Sequence, residues 1–183
     1  MSPIQKRWTA RASTVVVCVA AAAVTFGATP AIAPAAGVPN ACRLLHITRS
    51  LADQVYGAKA DVFSSATMGG SPPNLGAACE VNQGIGARHF IGGINAEPYA
   101  ASQYSALVAA YRTPGVKASS LRHLGKGALW VHDADPADDA VVFKRGKYAV
   151  LLTSIEAGGV AANHYPTEKM YLTIAHAVFG HLR

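Results

Sequence analysis

His132 and the four aspartates that follow it are the densest group of residues with chemical potential in the chain. Asp133, Asp135, Asp138 and Asp139 come within seven positions of the histidine. A loop of that kind offers oxygens to a hard cation such as Ca²⁺, which takes six to eight of them. The spacing departs from a calcium loop, however. There is no glycine at the sixth position and no glutamate closing the series. The reading adopted is a solvated acidic loop between two strands.

The other histidines are dispersed. His176 and His181 are five apart, which turns them to different sides of a helix, unlike the i, i+4 pair of a zinc site. His46, His89, His123 and His164 lack a partner at ligand spacing. Serine nucleophiles lack context, because neither Gly-x-Ser-x-Gly nor Ser-x-x-Lys occurs. The glutamates are only Glu80, Glu97, Glu156 and Glu168, and a carboxylate pair among them would have to meet in space. Gly125-Lys126-Gly127 opens a strand, whereas a phosphate loop opens a helix with Gly-Lys-Ser/Thr. Tyr99, Tyr104 and Tyr111 offer aromatic surface. Tyr104 and Tyr111 are seven apart, which fits core packing on a helix and leaves a ligand cleft as the sharper alternative. These observations assign no catalytic residue, no metal and no cofactor.

Cysteine usage bears on compartment. Residues 1–12 carry Lys6, Arg7 and Arg11 and no acid, and an apolar run over 13–26 and a small-residue stretch over 27–36 follow. This is the order of a secretory signal peptide. The run is shorter than the roughly 20 apolar residues that span a bilayer. Ala33-Pro34-Ala35 places cleavage after Ala35, giving a leader at 1–35 and one secreted domain at 36–183. Cys18 follows Val17 inside the apolar run, so it lacks a lipobox and leaves with the leader. Cys42 and Cys79 remain, and an oxidising compartment pairs them. They close a loop of nearly forty residues, for which chain entropy gives a stabilisation of about 3.5–4 kcal/mol.

Without the leader the chain has 13 basic and 10 acidic residues. That balance suits a soluble domain and gives no nucleic-acid footprint. The tightest basic group, Lys144-Arg145-Gly146-Lys147, reads as a hairpin turn. The whole chain is 51% hydrophobic and 14% charged, enough apolar content for a core. Much of it is alanine, so the few large side chains carry most of the burial.

The elements that must position these residues follow from periodicity. Leu44, Ile47, Leu51 and Val55 have helical spacing up to Gly57, with Thr48 as an alternative cap for a shorter helix from 49. Residues 63–78 read as a long Ser/Gly/Pro loop, a length that is unusual unless functional. Residues 78–83 and 88–94 read as a strand pair. Pro98 to Arg112 reads as a helix stopped by Pro114-Gly115. Residues 116–124 are ambiguous between loop and strand. Residues 128–132 are a strand, and 140–144 with 148–155 form a hairpin. A last helix starts near Pro166, with Leu172, Ala175, Val178, Phe179 and Leu182 as its apolar stripe. The predicted class is α+β, a mainly antiparallel sheet flanked by helices in the order α-β-β-α-β-β-β-α.

Several of these segments together resemble a family of actinobacterial secreted proteins and lipoproteins of unknown function. They are Cys42-Arg43-Leu44-Leu45 through Gly57, Cys79-Glu80-Val81 on a strand, Leu124-Gly125-Lys126-Gly127-Ala128-Leu129-Trp130 at a turn, and the Lys144–Lys147 hairpin. The resemblance covers about residues 41–183. It departs at Val81, where an aromatic is usual, and at Lys126, where an acid is common. It implies an antiparallel sheet flanked by helices, similar to PsbP/Mog1-like envelope domains, and no known activity.

The expected function is therefore non-enzymatic: a monomeric secreted binding domain of the cell envelope, taking a protein, a wall fragment or an apolar small ligand. The surface would be the sheet face beside helix 98–112 or the loop 63–78. A small hydrolase with a spatially assembled site and an interaction protein without a small ligand are the alternatives.

Overall fold

Period-two alternation decides the architecture. In the computed structural model, residues 40–57, 60–67, 73–84, 90–112, 115–133, 135–155 and 165–183 are described. Residues 1–39, which include the expected leader, lie outside them, as do His89, Glu156 and His164. The strands are β1 (Ala60–Ala66), β2 (Ala77–Gly84), β3 (Phe90–Ala100), β4 (Lys117–Ser120), β5 (Leu129–His132), β6 (Ala140–Arg145) and β7 (Tyr148–Ile155). The helices are α1 (Ala41–Leu44), α2 (Arg49–Tyr56), α3 (Tyr104–Tyr111) and α4 (Glu168–His181). All strands join one seven-stranded antiparallel sheet in the order β1-β2-β3-β7-β6-β5-β4. Two meanders, β1–β3 and β4–β7, thus meet where β3 pairs with β7. The connection through α3 carries the chain from the middle of the sheet to its far edge.

Both faces of β5–β7 are buried, which is why these strands read as near-continuous apolar runs. Trp130, Val141, Phe143, Val150 and Leu152 face one core together with α1, α2 and α4. Leu129, Val131, Ala140, Val142, Ala149 and Leu151 face a smaller core under α3, with Tyr99 and Leu107. The larger core is completed from α4 by Tyr171, Ile174, Ala175 and Val178, all fully buried.

The α+β class and the antiparallel sheet are observed, but the element order differs from that expected. It runs α-α-β-β-β-α-β-β-β-β-α. The first helix breaks at residues 45–48, where His46 takes a positive φ of 54° and Thr48 caps α2 by accepting the Leu51 N–H at 3.3 Å. The shorter helix from 49 was the alternative reading. β1 occupies residues expected in the long loop, so Phe63–Ala66 are strand. Their composition hides this, because Ser64 serves tertiary bonds: its hydroxyl accepts the Ala41 N–H (3.0 Å) and donates to the Ala78 carbonyl (3.3 Å). Sheet pairing overrides weak local propensity here.

Residues 98–100 also belong to a strand and not to a helix. Proline is rare inside a sheet because it lacks a donor. Pro98 lies beyond the Cys79–Ala96 end of the β2 pairing, and its carbonyl accepts the Leu75 N–H at 2.9 Å, so no ladder bond is lost on that side. A 3₁₀ turn (Ala101–Gln103) then leads into α3. The ambiguous stretch 116–124 supplies β4. In α4, Ala175, Val178 and Leu182 are buried as expected, Leu172 and Phe179 are half-buried, and Tyr171 and Ile174 replace them at the centre.

Two glycines test this packing in opposite directions. A Cβ on Gly93 would collide with the Val81 carbonyl and sit 2.6 Å from Asn82 Oδ1. One on Gly180 in α4 would meet nothing within 4 Å. Gly93→Ala should therefore lose about 1–3 kcal/mol through overpacking, and Gly180→Ala should gain roughly 0.5–1 kcal/mol through helix propensity. Urea unfolding of the two variants against the parent checks both signs.

Candidate functional site

The cysteines are placed as expected: Cys42 and Cys79 form a disulfide with Cα atoms 4.7 Å apart, both within the larger core. This joins α1 to β2. Its role is architectural, and the chemistry lies at the opposite end of the sheet.

On β5, Trp130 and His132 are two residues apart and share one face. On the edge strand β4, Lys117 pairs with His132 and Ser119 with Trp130, which brings those two side chains alongside. Asp139, just before β6, and the Pro166–Glu168 entry to α4 complete an open cleft of about 330 Å³. The Asp139 side chain is 7% exposed and the His132 side chain 54%. Asp139 Oδ1 lies 2.9 Å from His132 Nδ1 and accepts the Asp133 backbone N–H at 3.2 Å. With Nδ1 donating to the carboxylate, a neutral imidazole keeps Nε2 as an acceptor. The Trp130 ring lies nearly parallel to His132, inclined by 13° with centroids 6.5 Å apart, and is tilted against Tyr171 at 5.3 Å. The Tyr171 hydroxyl donates to the Asp139 carbonyl at 3.2 Å, so the same core residue supports both walls. Burial, followed by the neighbouring Tyr56 and Asp139, pushes the Tyr171 phenol well above its ordinary range.

The acidic loop is thereby reassigned. Asp135 and Asp138 are exposed, Asp133 is half-buried, and Asp139 turns inward to hold His132. Among the described residues no three His, Cys, Asp or Glu groups are placed to hold a metal ion.

The tyrosines pack against the other face of the sheet. Tyr99 is 5% exposed, and Tyr104 and Tyr111 lean on the α3 core. Tyr99 donates to Glu97 Oε2 at 2.6 Å, and burial together with that carboxylate keeps the phenol protonated far into the alkaline range. The Tyr111 phenol is pushed up to about 12, by burial first and then by the charges of Glu97 and Asp138. Glu97 also accepts from Asn95 Nδ2 (2.7 Å) and Asn74 Nδ2 (2.9 Å), and the Thr67 hydroxyl donates to Asn74 Oδ1 (2.9 Å). These bonds fasten the described ends of the loop 67–76 to β3. Asn74 and Glu97 as a pair carried no sequence signal, being 23 residues apart. Trp130 with His132 did carry one, since alternate strand residues share a face. Of the remaining histidines, His46 stacks on His181 and His123 on His176.

Compared with known proteins, the chain matches no family model, no curated protein and no solved structure. Function therefore rests on the geometry of the cleft. Asp139→Ala should lose about 1.5–3 kcal/mol, because it leaves the part-buried Asp133 N–H without its acceptor and removes a charge-assisted bond. His132→Ala should lose less than about 1 kcal/mol, since its imidazole is half exposed. Thermal or chemical unfolding that ranks them in the reverse order would contradict this account of the pair.

Proposed function

We propose that this is an exported cell-envelope domain that binds a hydroxyl-bearing wall fragment in the Trp130–His132–Asp139 cleft without turning it over. The observation that carries the reading is the imidazole held by a nearly buried carboxylate on the wall of an open cleft. Such an arrangement presents a fixed acceptor beside an indole, with Lys117 and Ser119 as donors and Glu168 as a further acceptor. Mixed donors and acceptors around an aromatic surface suit a polar fragment better than an apolar ligand or a nucleic acid. This differs from the sheet face beside α3, whose tyrosines are engaged in packing.

Export is supported by the order of residues 1–36 and by the disulfide, a bond that persists in oxidising compartments. No helix among the described residues is long and apolar enough to cross a membrane. The resemblance to actinobacterial secreted proteins and PsbP/Mog1-like envelope domains belongs to the same reading, as does a monomeric state.

One observation favours the hydrolase as a second reading. Ser119 lines the same cleft as the His132–Asp139 pair, which is the residue set of acyl-transfer catalysis. Among the described residues the Ser119 hydroxyl makes no hydrogen bond to the His132 imidazole, so binding is preferred.

Calorimetric titration with soluble peptidoglycan fragments separates the two. Binding should weaken at least about tenfold in His132→Ala, the equivalent of roughly 1.4 kcal/mol, with the fragments recovered intact. Fragment cleavage that disappears in Ser119→Ala would establish the hydrolase. No heat and no cleavage with any fragment would remove both readings of the cleft.

A further inference from the structure

Four of the histidines meet in two pairs, and each pair has one member on α4. His46, in the break between α1 and α2, stacks on His181 with centroids 4.9 Å apart. His123, in the 3₁₀ turn Arg122–Leu124, stacks on His176 at 4.6 Å. In both pairs the planes are inclined by 18°. Nothing in the sequence spacing joins these residues, which are 135 and 53 positions apart in the chain. His46 is moreover the only described residue other than glycine with a positive φ, so the backbone takes an unfavourable conformation where the first pair forms.

We propose that the pairs His46–His181 and His123–His176 form an acid-sensitive latch that holds α4 when the imidazoles are neutral and loosens it when a second proton enters each pair. Neutral rings at this separation pack face to face. Two imidazolium ions at the same separation repel; all four histidines are exposed, so solvent screens part of that repulsion, and the charged groups on the neighbouring elements are mostly cations. The elements packed on α4 are α2, β6 and the 3₁₀ turn before β5. From β6 come the cations Lys144 and Arg145, and from the turn Arg122. Arg145 lies over the Phe179 ring and donates to the Leu182 carbonyl, at the end of α4 that carries His181. From α2, Arg49 is bonded to Asp53 and Asp61, which occupies those carboxylates. On α4 itself Glu168 stands two turns or more from either histidine, next to Lys169, and Arg183 follows the helix. Among the described residues the one histidine paired with a carboxylate is His132, outside both pairs.

A second proton enters a pair against the charge of the first. His176 is held below its ordinary value, by burial first and by the charge of His123 second. The sign follows from linkage. In the unfolded chain His176 takes up its proton at the ordinary value near 6.5 while in the fold it resists, so the unfolded state binds more protons and stability falls as pH falls through that range. Pro166–Glu168 at the start of α4 form one wall of the cleft, so the latch also sets how firmly that wall is held.

The test compares the full chain with a double variant, His46→Asn with His123→Gln, which removes one ring from each pair. Asparagine tolerates the left-handed backbone at position 46. Between pH 7.5 and 5.0 the parent Tm should fall by roughly 5 °C more than that of the variant. The His176 imidazole resonance followed by NMR should titrate lower in the parent than in the variant, where the charge of His123 is gone. Equal pH slopes in parent and variant would overturn the latch. So would a His176 imidazole that titrates in the parent at the ordinary value near 6.5, a result that decides the matter even if the variant does not fold.

Discussion

The disulfide between Cys42 and Cys79 is the constraint on which the N-terminal layer depends. α1 has four residues and α2 eight, lengths at which isolated helices are not stable in water. They are held because Cys42 is bonded to a fully buried residue of β2, and because the Ala41 N–H reaches Ser64 on β1. Leu45, Ile47, Leu51 and Ala52 then join the core that α4 completes. Without that tie, the α1–α2 segment would rely on the burial of these apolar side chains to stay on the sheet.

The two faces of the sheet divide the work. One is closed by α1, α2 and α4, and at its β4–β5 end the closure stops short and leaves the cleft around His132 and Asp139. The other is closed by α3 over β5–β7. Next to that region Glu97 gathers donors from β3 and from the loop before β2. The long Ser/Gly/Pro stretch is thus anchored by a carboxylate at its described ends.

Much of the sheet was legible because β5, β6 and β7 are buried on both faces and carry dense Val, Leu and Ala runs around a clear Arg145-Gly146 turn. β1 was not legible, because Ser64 serves backbone groups on α1 and β2, a role visible only once those elements meet. Pro98 misdirected the reading toward a helix start. Its position past the end of a ladder makes it acceptable in a strand. The cysteine pair followed from composition alone. His132 and Asp139 were both singled out, but as part of a solvated acidic loop. Their pairing depends on Asp139 turning into the fold while Asp135 and Asp138 stay in solvent, and four similar aspartates in a row do not reveal which one is buried. The histidine pairs were invisible for a simpler reason: their members are far apart in sequence.

If the disulfide holds the N-terminal layer, its reduction should be felt locally before it is felt globally. Native-state hydrogen exchange on the oxidised and reduced protein, resolved by residue, is the direct measurement. Protection should drop first and furthest in α1, α2 and β1, while the doubly buried strands β6 and β7 retain slow exchange. Equal loss across all elements, or unchanged protection in α1 and α2 after reduction, would contradict the claim that this one bond secures that layer.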